Sequence, residues 1–217
     1  MPREEFAREA VSMGTTILAC EFEGGVVLGS DSRTSSGSLV VSRVTDKLTP
    51  VTDYIYCCRS GSAADTQAIT DAVKYHLSIY ELEHGRQVPV EIAANVFRDM
   101  CYRYRDDLSA GIIVAGWDPY KGGQVYSIPI GGMITRMSLA SGGSGSTYIY
   151  GYLDSNYKKN MNREAAENFI RDAVIYALTR DGGSGGIVRI AAITTKGVEK
   201  RIVYPDKFLK PAETDYN

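Results

Sequence analysis

The chain has 217 residues, 44% of them hydrophobic, and a formal net charge of −2 with lysines and arginines nearly balanced by acids. That length suits one large domain or two small ones, with enough apolar content for a sizeable core. The charge balance gives no electrostatic basis for binding nucleic acid or an anionic membrane, and no apolar run nears the roughly 20 residues of a membrane span. Met1-Pro2-Arg3-Glu4-Glu5-Phe6 lacks the apolar stretch of a secretory signal, and its paired glutamates argue against a mitochondrial transit peptide. Cys20, Cys57, Cys58 and Cys101 lie inside apolar segments, with no CxxC and no histidine at metal spacing. They are expected to be buried free thiols in a reducing compartment, cytoplasm, nucleus or both, and no metal is expected.

Residues 1–14 are mixed and polar, a candidate pro-segment. Residues 15–22 read as a strand, Glu23-Gly24-Gly25 as a turn, and Val26 to Ser30 as a second strand ending at Asp31-Ser32-Arg33. Together they make a hairpin. Thr34 to Ser38 reads as a loop, Leu39 to Val44 as a short strand, and Tyr54 to Cys58 as a buried strand ending at Arg59-Ser60-Gly61. Ser62-Ala63-Ala64-Asp65 has the form of a capping box with Asp in place of Glu, and predicts a helix to about Leu82. Ile92, Ala93, Val96, Phe97, Met100, Cys101 and Tyr104 repeat at helical spacing, as do Ala165, Ala166, Phe169, Ile170, Ala173, Val174, Ala177 and Leu178. Strands are expected near 110–117, 123–129 and 133–139, then a Gly/Ser loop at 141–146. A second Gly-rich loop, Asp181 to Gly186, precedes strands at about 187–195 and 198–203, and a polar tail starts near Tyr204. Helices segregate from runs of antiparallel-type strands, so the fold class is α+β. With no internal repeat and no linker, residues 15–217 read as a single domain.

Several kinds of chemistry drop out. His76 and His84 lie in or just after the first predicted helix among polar neighbours, with no nucleophile motif nearby. The Gly-rich loops match neither GxxxxGK[ST] nor GxGxxG. Tyr102-Arg103-Tyr104-Arg105 spreads its basic and aromatic residues over different helix faces. Gly14-Thr15-Thr16 remains. Threonines here open a strand equally well. But a hydroxyl needs a base to become a nucleophile, and a free α-amino group titrating near pH 8 is such a base. Cutting the Gly14–Thr15 bond would give Thr15 that amine. The hairpin returns Asp31 to the neighbourhood of Thr15. Lys47, in the apolar stretch from Val44 to Val51, reads either as a surface lysine or as a fixed cation paired with Asp31 that would lower the Thr15 pKa values. Gly61, before a capped helix, reads either as a turn glycine or as an oxyanion-binding N–H.

As a group these residues resemble a family. Gly14-Thr15-Thr16-Ile17-Leu18-Ala19, Gly25 to Thr34, Val44-Thr45-Asp46-Lys47-Leu48 and Arg59 to Asp65 look like the active β-type subunits of the eukaryotic proteasome core particle. Gly143-Ser144-Gly145-Ser146 with Tyr148, and Arg180-Asp181 with Ser184-Gly185-Gly186, resemble two further family segments, so the likeness runs from Thr15 to about Val203. The resemblance implies the four-layer αββα sandwich of the N-terminal-nucleophile hydrolases. It implies Thr15 as nucleophile and base, Asp31 and Lys47 as the activating pair, and Gly61 as oxyanion donor. Ser144, Asp181 and Ser184 would hydrogen-bond around Thr15, and Thr15 would attack the Gly14 carbonyl to release residues 1–14. It implies no cofactor, and partners that are other α- and β-type subunits in stacked heptameric rings. Substrates would be unfolded or ubiquitin-tagged polypeptides.

Positions matching the family's pocket for the residue before the cut bond are Thr34, Thr45, Thr49, Arg59, Ala63 and Gln67. An arginine there suits an acidic residue, so the chain resembles the caspase-like subunit. An inducible immune counterpart resembles it closely but has an apolar residue at that position. Ser38-Leu39-Val40-Val41-Ser42 departs from the Tyr-Ile-Ala-Asn run expected there. Two other readings compete: a non-catalytic structural β subunit, and a free-standing N-terminal-nucleophile amidase. The first would lack the threonine, the glycine or the lysine, and all three are present.

Overall fold

Two five-stranded antiparallel sheets stack face to face in the computed structural model, which describes residues 14–37 and 39–204. The expected pro-segment up to residue 13, Ser38, and the tail beyond Tyr204 lie outside the described residues. The first sheet has the order β10-β1-β2-β11-β12 and the second β5-β6-β7-β8-β9. In the first sheet β1 is Ile17–Phe22, β2 Gly25–Ser30, β10 Leu139–Gly142, β11 Val188–Thr194 and β12 Gly197–Val203. In the second, β5 is Leu48–Thr52, β6 Ile55–Gly61, β7 Ala110–Asp118, β8 Gly122–Ile128 and β9 Thr135–Met137. A separate ribbon pairs β3, Thr34–Ser36, with β4, Leu39–Ser42.

Strand alternation assigns each side chain to a layer. In β1, Ile17 and Ala19 point between the sheets, with Val26 and Leu28 of β2, against Tyr56, Cys58, Ile113 and Val125. Leu18, Cys20 and Phe22 point the other way, against Phe169, Ile170, Ala173 and Val174 of α4, Arg163–Arg180. On the far face, Ile55, Cys57, Ile112 and Val114 cover the buried stripes of α1, Ala63–His84, and α2, Val90–Arg103. Helix, sheet, sheet and helix make the four-layer αββα sandwich of the N-terminal-nucleophile fold that the resemblance implied.

The details depart from the sequence reading in places. Ser62 caps α1 by accepting from the Asp65 N–H at 3.3 Å, but the capping box does not close. The Asp65 carboxylate, a methylene shorter than Glu, takes the Ser109 N–H at 3.1 Å, and the Ser62 N–H goes to the Ser109 carbonyl. The cap is thereby stitched to the start of β7. Helix α1 ends at Gly85 with φ of 60°, a left-handed stop that glycine adopts freely. The strand expected at 133–139 is two strands in different sheets, β9 and β10, with the chain crossing at Ser138. Residues expected as a loop form β3 at one point and β5 appears around Pro50, which an edge strand tolerates. Helix α3, Tyr150–Asn156, buries only Leu153 and so leaves no periodic signal.

The N-terminus of α2 shows how distant residues finish an element. Its cap position is Pro89, which supplies no side-chain acceptor. Asp118, at the end of β7 and fully buried, accepts the Val90 N–H at 2.9 Å, with Tyr120 N, Lys121 N and Gln124 Nε2. Burial pushes the Asp118 pKa up, but these donors outweigh it and hold the carboxyl below its usual value. Asp118→Ala, which strands those donors, should therefore cost about 2 kcal/mol in thermal unfolding. A carboxyl with a lowered folded pKa contributes its full stabilisation above the unfolded value and loses it as pH falls through the folded one. The gap between wild type and variant should accordingly shrink on acidification below the ordinary carboxylate range, and a gap independent of pH would refute the assignment.

Candidate active site

The β1–β2 hairpin pairs Ile17 with Ser30, so the residues just outside the ladder, Thr16 and Asp31, face each other. The Asp31 N–H donates to the Thr16 carbonyl, and the Thr16 N–H donates back to Asp31 Oδ1 at 3.0 Å. Lys47 immediately precedes β5 and is only 6% exposed. Its Nζ lies 2.6 Å from Asp31 Oδ1, 3.1 Å from Thr15 Oγ1 and 3.4 Å from the Gly14 carbonyl oxygen. Asp31 Oδ2 accepts the Arg33 and Gly185 N–H groups, each at 3.1 Å. Burial pushes the Lys47 pKa down. The Asp31 carboxylate opposes this and offsets it only in part, so Lys47 gives up a proton more readily than a free lysine.

A second chain of bonds reaches the nitrogen of Thr15. The Thr15 N–H donates to Ser144 Oγ at 3.1 Å, and the Ser144 hydroxyl donates to Asp181 Oδ2 at 2.7 Å. The Ser184 hydroxyl shares that oxygen at 2.6 Å and lies 2.7 Å from Thr16 Oγ1. Burial raises the Asp181 pKa, but the Ser184 and Ser144 hydroxyls and the Gly183 and Ser184 N–H groups outweigh it, holding the carboxyl below its usual value. Asp181 is held by position, as the C-cap residue of α4. Ser144 follows Gly143, whose φ is 81°. A Cβ at Gly143 would sit 2.1 Å from the Thr15 carbonyl oxygen, so only glycine lets the two segments close.

Gly61, with φ of 94°, ends β6 beside Thr15, and a Cβ there would meet the Ser109 carbonyl oxygen at 2.3 Å. Thr15, Lys47 and Gly61 line one cavity together with Thr34, Thr45, Arg59 and Ala63. Thr34 donates its hydroxyl to Thr45 Oγ1 at 2.8 Å. The structure does not bring Thr49 or Gln67 to this wall. Thr49 pairs with Cys57 inside the second sheet, and Gln67 is exposed on α1. Arg33 and Thr66 do line it and were not foreseen. Thr66 was recoverable from helical spacing, four residues after the Ser62 cap. Arg33 offers no such signal, because its place depends on the loop after α4, where Nη1 donates to the Gly182 carbonyl. Arg59 Nε is buried and has no hydrogen-bond partner among the described residues.

The other chemistry-bearing residues lie apart. His76 and His84 are exposed on α1, and the His84 ring stacks on Tyr80. All four cysteines are free and buried, and burial pushes Cys20 up to about 12 and Cys57 and Cys101 up to about 11, so none is a thiolate at neutral pH. Among the described residues no group of three or more His, Cys, Asp or Glu is placed to hold a metal ion, and no helix is long and apolar enough to cross a membrane.

The fold and the threonine-centred site define a member of the N-terminal-nucleophile class. Comparison with known proteins narrows this. The family model described as "Proteasome subunit" matches residues 11–193. "Proteasome subunit beta type-1" of Saccharomyces cerevisiae is 52% identical over 198 residues, 91% of this chain and 92% of that protein. "Proteasome subunit beta type-9" of Homo sapiens is 51% identical over 92% of this chain and 91% of its own length. "Proteasome subunit beta type-6" of Dictyostelium discoideum is 47% identical over 94% and 95%. The chain belongs to the proteasome subunit family, among its β-type members.

Removing Asp31 tests the electrostatic account. Asp31→Ala leaves the Lys47 ammonium buried without its counter-charge and should cost about 3–5 kcal/mol. Thermal unfolding of the variant reads this directly, and a loss below about 1 kcal/mol, the range of an exposed pair, would show that water already solvates Lys47.

Proposed function

We propose that the chain is a threonine endopeptidase subunit of a proteasome core assembly, cutting peptide bonds after acidic residues. The observation that carries the reading is Lys47 Nζ at 3.1 Å from Thr15 Oγ1 and 3.4 Å from the Gly14 carbonyl oxygen. One group thus touches both the attacking atom and the carbonyl of the bond to be cut. While that bond is whole, the Thr15 nitrogen is an amide and no base. Burial favours loss of a proton from the Lys47 ammonium, and the neutral amine so formed takes the Oγ1 proton. Oγ1 adds to the Gly14 carbonyl carbon, the C–N bond breaks, and the nitrogen leaves with a proton. Water then hydrolyses the resulting ester. Residues 1–14 depart, and Thr15 keeps a free amine.

That amine serves the second reaction. It accepts the Oγ1 proton as Thr15 attacks a substrate carbonyl and passes it to the departing amine, and water then hydrolyses the acyl ester to free Thr15. The Gly61 N–H stabilises the oxyanion. Ser144, Asp181 and Ser184 orient the Thr15 nitrogen, and the Lys47–Asp31 pair supplies a fixed field. Arg59 supports the acidic preference, since it lines the Thr15 cavity and its buried Nε has no partner among the described residues. A substrate carboxylate would satisfy it with the geometry that guanidinium groups favour. Thr34, Thr45 and Ala63 shape the same wall. The working form is a stacked heptameric-ring assembly with other α- and β-type subunits, acting on unfolded or ubiquitin-tagged polypeptides in the cytoplasm and nucleus.

Thr15→Ala should abolish both release of residues 1–14, read by N-terminal sequencing, and peptide cleavage, with a loss of at least about a thousandfold. Retained cleavage in that variant would sink the mechanism. Arg59→Leu should keep Thr15 reactive while the preference for Asp or Glu before the cut bond falls about 10- to 100-fold, the range of a lost charged hydrogen bond. An unchanged preference measured with fluorogenic peptides would remove Arg59 from recognition.

A further inference from the structure

We propose that a second cavity, on the amine side of Thr15, receives the residue immediately after the cleaved bond, and that Ile130 and Tyr150 make it select apolar residues. The inference rests on the endopeptidase reading above. The uncut chain itself supplies the orientation. Gly14, on the acyl side of the Gly14–Thr15 bond, lines the Arg59 cavity. The Thr15 nitrogen, on the amine side, is hydrogen-bonded to Ser144. Ser144 lines a different and wider cavity of about 550 Å³, and Gly61 is the wall between the two. A peptide whose carbonyl is attacked by Thr15 Oγ1 would lie the same way, with its acidic residue at Arg59 and the departing amine at Ser144. The side chain carried on the amine side then enters the second cavity.

Its chemistry differs from that of the first. The floor is Ile17 and Ile113, both buried and both pointing between the sheets. Ile130, 63% exposed in the loop after β8, and Tyr150, 50% exposed at the start of α3, stand above it. Among the described residues no charged side chain lines this cavity, whereas the first holds Arg33, Lys47 and Arg59. An apolar side chain entering here sheds water against isoleucine and tyrosine. A charged one loses water and meets no counter-charge. The two cavities therefore read a bond by its contrast, acid before it and apolar after it.

The test uses the assembled particle and internally quenched peptides carrying Glu before the bond and Leu, Phe, Lys or Glu after it. Cleavage attributable to this subunit is the difference between particles with Thr15 and with Thr15→Ala, and mass spectrometry confirms the cut site. The kcat/KM for Leu and Phe should exceed that for Lys and Glu by about tenfold, the low end for placing one apolar group in a fitted pocket. Ile130→Glu should turn the ratio towards Lys, and Tyr150→Ala should narrow the Phe preference severalfold. Equal rates for all four peptides would overturn this inference and leave the acidic-specific endopeptidase intact. Cleavage of none of them overturns the endopeptidase reading and the inference with it.

Discussion

Lys47 and Asp31 face each other at 2.6 Å with almost no contact with water. Burying two charges is costly by several kcal/mol per ion unless their remaining bonding capacity is used. Here it is used. Asp31 takes four donors, from Thr16, Arg33, Lys47 and Gly185, and these belong to four separate stretches of chain. The lysine in turn spends its donors on Asp31, Thr15 and Gly14. The pair cannot form unless the start of β1, the end of β2, the approach to β5 and the loop before β11 are all in place. The cost of leaving it half-made makes the site a late and cooperative product of the whole sandwich.

Asp181 performs the same service for a different atom. Thr15 presents two polar atoms to the site, an oxygen and a nitrogen, and the fold assigns one carboxylate to each. Asp31 reaches the oxygen through Lys47, and Asp181 reaches the nitrogen through Ser144. Thr16 ties the two systems, giving its N–H to Asp31 and its hydroxyl to Ser184. Both carboxylates sit at ends of regular elements, Asp31 after β2 and Asp181 capping α4, so their positions inherit the rigidity of the sheet and helix.

How much of this was legible in the sequence depends on the range of each signal. The adjacency of Thr15 and Asp31 was readable, because a hairpin is local and its register is set by its turn. Lys47 showed only as a charge in an apolar stretch; its partner lies 16 positions away, and β5, which fixes it, escaped because Pro50 interrupts a short run. Ser144, Asp181 and Ser184 entered only through the family resemblance. They lie in Gly/Ser-rich segments without periodicity, and their mutual contacts span 37 positions or three. The αββα layering came from the same source, since alternation says which face of a strand is buried but not which sheet will cover it. The β9–β10 segment makes the point: seven residues that read as one strand divide between two sheets. Thr49 and Gln67, matched to the family pocket, do not line the described cavity, which Arg33 and Thr66 border.

The orientation of Ser144 bears on the proposed cut between Gly14 and Thr15. Its hydroxyl proton is committed to Asp181, so only its lone pairs face the Thr15 nitrogen. Lone pairs can hold an amide N–H, and they hold an ammonium or amine N–H equally well. Were Ser144 turned to donate, it would fit only a nitrogen with a free lone pair, and the amide of the whole bond has none to give. The hydrogen bond that holds the peptide nitrogen is therefore one that a Thr15 amine freed by the proposed cut would keep, with its own lone pair left to face Oγ1. The proposed processing would need no rearrangement of Asp181, Ser184 or Ser144.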